Sequence, residues 1–300
     1  MSEPITFDNR VAIVTGAGGG LGRTYALELA RRGARVVVND LGGAVDGTGG
    51  SQSAADRVVE EITSGGGEAV ASYDTVATPE GGASITQTAV DAYGTVDIVI
   101  NNAGILRDKS FAKMEPSEVE AVLDVHLKGA FYVSMPAFRV MKEKGYGRFV
   151  FTSSGSGLFG NFGQANYGAA KAGLAGLSSV VAVEGKKYNI KSNAIAPVAL
   201  TRMTEGLPFI EVAKAEQVTP MVVYLCSEAN QHSHEIFTAG GGRYGRIFLG
   251  TNNGWFAGQG DPPSVEDIAE HIEEIRDVSK HIIPSTSQEE IMLLAQLLQG

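Results

Sequence analysis

Residues 11–22 read VAIVTGAGGGLG. The first five form a short apolar run, which is typical of a strand buried on both faces of a parallel sheet. The glycines after it are typical of a turn in which backbone N–H groups approach a phosphate. A helical pattern follows and ends near Gly33, and a second strand, residues 35–39, stops at Asp40. This order of strand, glycine turn, helix, strand and acid predicts a dinucleotide-binding βαβ unit.

The acidic residue that ends the second strand indicates which dinucleotide is bound. The Asp40 carboxylate can accept hydrogen bonds from ribose hydroxyls, but its charge would repel a 2′-phosphate. The glycine turn also contains no Lys or Arg before Gly20, and Arg23 lies beyond it. We therefore expect the cofactor to be NAD rather than NADP.

The alternation of strands and helices continues along the chain. Ligands in open α/β sheets lie outside the carboxyl ends of the strands. Two later predicted strands end in side chains that we expect to line the adenosine half of the site: Asp74, Thr75, Val76 and Asn101. Helix capping is an alternative role for Asp74. The connection 41–51 is long and glycine-rich, and we expect it at the same edge of the sheet.

Tyr167 and Lys171 form the candidate reaction centre. They are four residues apart, so on a helix they lie one turn apart on the same face. An ammonium beside a phenol favours the phenolate, so we expect Lys171 to lower the pKa of Tyr167 from its usual value near ~10. Ser154 stands thirteen residues before the tyrosine, close behind an apolar strand. The pairing of Tyr167 and Lys171 predicts an acid or base that is usable near neutral pH.

Four motifs resemble the short-chain dehydrogenase/reductase family over about residues 7–245: TGAGGGLG (15–22), NNAG (101–104), Ser154 and YGAAK (167–171). A narrower resemblance is to one subgroup, the (3R)-hydroxyacyl-CoA dehydrogenase domains of type 2 peroxisomal multifunctional enzymes (17β-hydroxysteroid dehydrogenase type 4). It rests on VNDLGG (38–43), NNAGILRD (101–108), VHLKG (125–129), GNFGQANY (160–167), IAP (195–197) and TRMT (201–204).

The resemblance implies an α/β fold, a doubly wound Rossmann-type parallel sheet of about seven strands with a helical C-terminal extension. It implies an NAD-binding dehydrogenase domain over residues 1–245, and an extension over 246–300 that packs on the same domain or on a partner subunit. The implied activity is NAD-dependent interconversion of a (3R)-3-hydroxyacyl-CoA and the 3-oxoacyl-CoA, with a fatty or sterol acyl group. We expect the hydratase activity of the multidomain relatives on a separate chain.

The resemblance also implies a role for each site residue. Tyr167 is the general acid/base, Lys171 hydrogen-bonds the nicotinamide ribose, and Ser154 and Tyr167 contact the substrate oxygen. His126 stands where the family has a catalytic asparagine, and a structural histidine is the alternative role. The residues expected to bind the cofactor are Gly16, Gly20, Leu21, Gly22, Asp40, Asp74, Thr75, Val76, Asn101, Tyr167, Lys171, Pro197 and Thr201.

Composition excludes several classes of partner and site. The formal net charge is −10 and no basic stretch occurs, so we expect neither nucleic acid nor a membrane surface as a partner. The single cysteine excludes an intramolecular disulfide. No signal-like segment and no 18-residue apolar run occurs, so we expect a cytoplasmic protein. His232 and His234 lack further ligand residues in a suitable spacing, so we expect no metal.

The sequence leaves three alternative functions open. Two are enzymes, a hydroxysteroid dehydrogenase acting on a steroid ring and a 3-oxoacyl-acyl-carrier-protein reductase. The reductase normally prefers NADP, so Asp40 argues against it. The third is a nucleotide-binding module without catalysis, against which the intact Ser154, Tyr167 and Lys171 argue. The family is usually dimeric or tetrameric through two long helices, so we expect a homodimer or homotetramer.

Overall fold

The computed structural model describes residues 4–200 and 213–299. The chain divides into two compact units, residues 1–246 and 247–300. The first contains a large sheet flanked by helices. In its described residues, the second contains three short helices and a two-stranded sheet.

An eight-stranded sheet forms the centre of the first unit. Its strands are β1 (Val11–Thr15), β2 (Arg35–Asn39), β3 (Glu68–Ser72), β4 (Ile98–Asn101), β5 (Gly147–Thr152), β6 (Ile190–Pro197), β7 (Ile236–Gly240) and β8 (Arg243–Ile247). Their spatial order is β3-β2-β1-β4-β5-β6-β7-β8, and all pairs from β3 to β7 are parallel. This confirms the predicted doubly wound parallel sheet. The eighth strand is additional: it follows β7 after Gly241-Gly242, whose positive φ angles suit a tight hairpin turn.

Helices cover both faces of this sheet. They are α1 (Gly20–Arg31), α2 (Ser53–Ser64), α3 (Pro79–Tyr93), α4 (Pro116–Leu123), α5 (Gly129–Lys144), α6 (Gly155–Phe159), α7 (Ala165–Gly185) and α8 (Thr219–Cys226). No helix in the described ranges is both long and apolar enough to cross a membrane.

Strand β1 shows why the sheet is buried on both sides. Successive side chains of a strand point to opposite faces. Ala12 and Val14 therefore pack in one core cluster with residues of α1, α2 and α8, whereas Val11 and Ile13 pack in another with residues of α3, α5 and α7. All five residues of the strand are buried, which explains its continuous apolar sequence.

The segment of residues 116–144 is not one regular α-helix. It comprises α4, a π-helical turn over Asp124–Lys128, and α5. The π turn is closed by the Gly129 N–H, which donates to the carbonyl of Asp124. Such turns insert one residue into a helix and frequently occur at functional sites. The turn contains His126, one of the candidate catalytic residues.

The second unit consists of short elements with little interior. Helices α9 (Val265–Glu270), α10 (Ile272–Arg276) and α11 (Ser287–Gln299) accompany β9 (Thr251–Asn252), which pairs antiparallel with β10 (His281–Ile282). Trp255 stacks on His271 with ring centroids 4.0 Å apart. No side chain described between residues 248 and 298 is fully buried. A break at His271 separates α9 from α10.

Candidate functional site

A cleft of about 300 Å³ opens at the carboxyl ends of six neighbouring strands. The residues at these strand ends that line it are Gly16, Asn39, Asp74, Asn102, Thr152 and Pro197. The strand order reverses between β1 and β4 at this edge. In open α/β sheets such a switch point is where ligands bind.

The glycine turn between β1 and α1 forms one wall of the cleft. Gly16 and Gly20 have φ of +64° and +51°, which other residues rarely adopt. Gly16, Gly20 and Leu21 line the cleft. Gly22 has a packing role instead, because a Cβ there would lie 2.2 Å from the carbonyl oxygen of Gly16. The turn thus brings backbone to the cleft surface, which suits a phosphate-bearing ligand.

Asp40 lies in the cleft with its carboxylate fixed by backbone amides. The N–H of Gly18 donates to Oδ2 at 2.7 Å, and the N–H of Gly42 donates to Oδ1 at 2.6 Å. Each carboxylate oxygen has a second lone pair, so both can still accept a hydrogen bond from a ligand. The contacts tie the negative charge to the glycine turn.

The residues at the carboxyl ends of β3 and β4 only partly follow the sequence prediction. Asp74, Thr75 and Val76 line the cleft. Asp74 is not the cap of α3, because Thr78 caps that helix and Asp74 accepts a hydrogen bond from Ser84 at 2.9 Å. The structure places Asn101 elsewhere: its amide donates to Ser134 Oγ of α5 at 2.9 Å.

Asn102, the next residue along, lines the cleft in place of Asn101. Its amide donates to the carbonyls of Thr15 and Gly16, at 3.0 and 3.1 Å. Alternation along the strand therefore assigns the first asparagine to the core and the second to the site. Pro197 lines the cleft as expected, and Thr201 lies outside the described residues.

Ser154, Tyr167 and Lys171 meet at one end of the cleft. Lys171 is buried, its Nζ donates to the carbonyl of Thr152 at 2.5 Å, and it lies 5.4 Å from the centre of the Tyr167 ring. Ser154 caps α6 by accepting a hydrogen bond from the N–H of Ser156 at 3.2 Å. The end of β5 and the first turns of α7 thus bring the three side chains together.

The pKa of Tyr167 is shifted opposite to the sequence prediction. Burial raises it above its usual value, and a hydrogen bond with Ser154 only partly opposes this rise. Burial also lowers the pKa of Lys171 to about 7, so the ammonium is itself disfavoured in this setting. The four-residue spacing identified the pair of side chains. It carries no information on burial, and removing both groups from water shifts both of their pKa values.

The buried lysine gives a testable pH dependence of stability. The unfolded chain keeps the Lys171 pKa near 10.5, so between about pH 7 and 10.5 the unfolded state binds a proton that the folded state lacks. Burial of Lys171 therefore lowers the free energy of unfolding by its full amount below pH 7. This loss becomes smaller as the pH rises and is absent above pH 10.5. We therefore expect Lys171→Met to raise the Tm by a few degrees at pH 6 and to raise it progressively less towards pH 10. Calorimetry of the variant and the parent across this pH range tests the prediction. A difference in Tm that does not change with pH would contradict it.

His126 is a buried neutral imidazole beside the tyrosine. Its Nε2 lies 2.8 Å from the carbonyl oxygen and 3.0 Å from the nitrogen of Ile105, and its ring packs edge-on against Tyr167 at 5.2 Å. Burial, followed by the charge of Lys171, holds its pKa well below the usual value. Gly104 makes room for the ring, because a Cβ there would lie 2.1 Å from His126 Cε1.

Several site residues were not identified from the sequence. The connection 41–51 lines the cleft with Leu41, Gly43, Ala44, Val45, Gly47 and Gly49. Its length and glycine content were the available signal. Thr152, whose carbonyl accepts from Lys171, and Asn166, whose carboxamide contacts the backbone of Tyr167, carry no such signal in the sequence.

A family model and curated relatives match most of this chain. The model, described as short chain dehydrogenase, matches residues 10–208. A short-chain type dehydrogenase/reductase of Mycobacterium tuberculosis is 53% identical over 274 residues, covering 90% of this chain and 95% of that protein. The peroxisomal multifunctional enzyme type 2 of Mus musculus is 47% identical over 293 residues, covering 96% of this chain and 40% of the mouse protein.

A solved structure extends the similarity to three dimensions. Full-length peroxisomal multifunctional enzyme type 2 from Drosophila melanogaster has a TM-score of 0.83 and 38% identity, covering 98% of this chain and 50% of that chain. This chain therefore spans half or less of the length of these two multifunctional enzymes. The resemblance to their dehydrogenase domain is confirmed. With the family model matched over more than half of its length, the chain belongs to the short-chain dehydrogenase/reductase family.

Proposed function

We propose that this protein is an NAD-dependent oxidoreductase that interconverts a (3R)-3-hydroxyacyl-CoA and the corresponding 3-oxoacyl-CoA. The observation that carries the proposal is the meeting of Ser154, Tyr167 and Lys171 at the end of a cleft built on a dinucleotide-type glycine turn. The similarity to peroxisomal multifunctional enzymes supports the choice of acyl-CoA, which can carry a fatty or a sterol side chain.

The catalytic residues act on the substrate oxygen. In the oxidative direction Tyr167 takes the proton of the C3 hydroxyl and Ser154 donates a hydrogen bond to the same oxygen. The cleft residues Gly16, Gly20 and Asp40 would hold the nicotinamide cofactor, which would supply the hydride acceptor for C3. In the reverse direction Tyr167 returns the proton to the oxygen of the carbonyl group. Lys171 lies close enough to the phenol to favour its ionised form when the lysine is protonated.

His126 has a supporting role in this proposal. Its burial keeps the imidazole neutral, and its contacts to Ile105 hold it in the wall behind Tyr167. A neutral, tightly packed ring of this kind suits a structural residue better than a second acid or base. The neutral His126 ring packs against the phenol. We therefore assign proton transfer to Tyr167 and not to His126.

The fixed carboxylate of Asp40 supports NAD as the cofactor. We expect Asp40→Ala to raise the KM for NAD about tenfold, because a charged hydrogen-bond acceptor for the ribose is lost. The KM for NADP should fall in the same variant, since the repulsion of its 2′-phosphate is removed. Initial rates with both dinucleotides measure this. Equal use of NAD and NADP by the parent protein would show that Asp40 does not select the cofactor.

A substrate panel tests the activity itself. The parent protein, NAD and (3R)- or (3S)-3-hydroxyacyl-CoAs of varied chain length or sterol side chain are followed at the absorbance band of the reduced cofactor. Turnover of only the (3R) compounds supports the proposal. Preference for free hydroxysteroids, or for acyl-carrier-protein thioesters with NADP, would favour one of the two alternative enzymes. No turnover of any substrate would favour a nucleotide-binding module.

We also propose that the protein assembles into at least a homodimer. Helices α5 and α7 expose large apolar side chains, Phe131 and Met135 on the first and Val180 and Val183 on the second. Such apolar side chains on long neighbouring helices are typical of subunit contacts. The molar mass in solution, measured by light scattering, distinguishes a dimer from a tetramer.

A further inference from the structure

The first turn of α7 is held by the residue that precedes Tyr167. The N–H of Tyr167 belongs to the group of N–H donors at a helix start that have no carbonyl acceptor within the helix. It donates instead to Oδ1 of Asn166 at 2.7 Å. Asn166 is almost completely buried, with 1% of its surface exposed.

The other end of the same carboxamide reaches two separate parts of the fold. Nδ2 of Asn166 donates to the carbonyl of Arg107 at 2.9 Å and to the carbonyl of Glu118, in α4, at 3.2 Å. All three hydrogen bonds of Asn166 are made to backbone groups. The side chain therefore ties the start of α7 to α4 and to the segment that follows β4.

The segment after β4 also forms hydrogen bonds with the connection 41–51. The N–H of Leu106 donates to the carbonyl of Val45 at 2.9 Å, and Nε of Arg107 donates to the carbonyl of Asp46 at 3.0 Å. Val45 belongs to the connection 41–51 that lines the cleft. Residues 105–107 are thus the common anchor of this connection and of the helix that carries Tyr167.

We propose that Asn166 is the positioning residue for Tyr167. Its carboxamide fixes the first turn of α7 against residues 105–107. The phenol therefore keeps its place relative to Ser154 and to the connection 41–51 that lines the cleft. Small displacements of a catalytic group can cost about 10²-fold in rate. The proposal rests on the proposed function, in which Tyr167 exchanges the proton.

The test compares the same substitution at two buried asparagines. Asn166→Asp keeps an acceptor for the Tyr167 N–H but places a carboxylate oxygen against two carbonyls. Asn230→Asp is the control: Asn230 is also buried, donates to the carbonyls of Leu225 and His232 at 3.1 Å each, and accepts from the N–H of His232 at 2.9 Å. It lies between α8 and β7, outside the cleft. Asn166→Ala is measured alongside to separate the lost amide contacts from the added charge.

For each variant, NAD titration gives the affinity and the number of binding sites, and kcat is expressed per NAD-binding site. We expect both Asp variants to lower the Tm. Both Asn166 variants should lose about 10²-fold in kcat while their Kd for NAD stays within twofold of the parent. Asn230→Asp should keep the parent kcat per site.

Two results would overturn the proposal. One is a kcat per site in the Asn166 variants equal to that of Asn230→Asp. The other is complete loss of NAD binding in both Asn166 variants, because Asn166 would then maintain the fold rather than place the phenol. Tyr167→Phe is assayed in parallel: if that variant turns over normally, the proposed function is wrong. If it is inactive while the Asn166 variants are normal, only the positioning role is wrong.

Discussion

Tyr167→Phe should reduce turnover to about a thousandth of the parent rate or less while leaving NAD binding unchanged. The substitution removes only the hydroxyl that exchanges the proton, and general acid–base catalysis is typically worth about 10²–10⁴-fold. The ring that packs edge-on against His126 remains, so the shape of this end of the cleft is preserved. The loss should therefore appear in kcat rather than in the affinity for the cofactor.

Two measurements and one control define this experiment. Turnover is followed by the absorbance of the reduced cofactor, and NAD affinity is measured separately by calorimetric titration. Tyr188→Phe is the matched control, since Tyr188 follows the opposite end of α7 and contacts the lysines at 142 and 187. It should keep the parent rate. Near-parental turnover of Tyr167→Phe would remove the tyrosine from the mechanism.

The parts of this site that could be predicted from the sequence depend on local geometry. Residues 11–14 are all apolar and lead into a glycine turn, which predicts a strand buried on both faces. The four-residue spacing of Tyr167 and Lys171 fixes their common helix face wherever the helix lies. The location of Asp40 could also be predicted. It stands at the end of a strand beside a glycine turn of only a few residues, which leaves its side chain few possible positions.

Other parts depend on contacts between distant segments. Asn101 and Asn102 are adjacent, and only the register of β4 decides that the second lines the cleft. The raised pKa of Tyr167 arises from burial by the assembled fold, which no spacing contains. The same holds for Asn166, whose carboxamide bridges residues that are about fifty positions away in the chain.

Asp97 provides the largest stability effect that we expect outside the cleft. Its buried carboxylate lies just before β4, at the edge of the sheet opposite the site. Oδ1 forms ion pairs with Arg10 at 3.2 Å and with Lys144 at 2.6 Å, and Oδ2 accepts from the N–H of Val11 at 2.9 Å. One carboxylate therefore joins the start of β1, the end of α5 and the start of β4.

Asp97→Ala should lower the free energy of unfolding by about 3 kcal/mol. Removing one partner of a buried ion pair costs roughly 3–5 kcal/mol. The lower end applies here, because the side chains of Arg10 and Lys144 are 22% and 34% exposed and water can solvate them after the change. The buried N–H of Val11 loses its acceptor as well, which adds to the cost.

Denaturant unfolding of the parent, Asp97→Ala and Asp91→Ala measures this effect. Asp91 is the control, an exposed carboxylate on α3 that accepts from the nearby Gln87 at 2.7 Å, and its loss should change the unfolding free energy by less than about 0.5 kcal/mol. The loss of unfolding free energy in Asp97→Asn should lie between those of Asp97→Ala and Asp91→Ala. The amide oxygen can still accept from the N–H of Val11, but the negative charge is gone. Because the carboxylate lies at the far edge of the sheet, kcat of the folded Asp97→Ala protein should equal that of the parent. A loss of kcat at unchanged stability would mean that Asp97 acts on the cleft rather than on the fold.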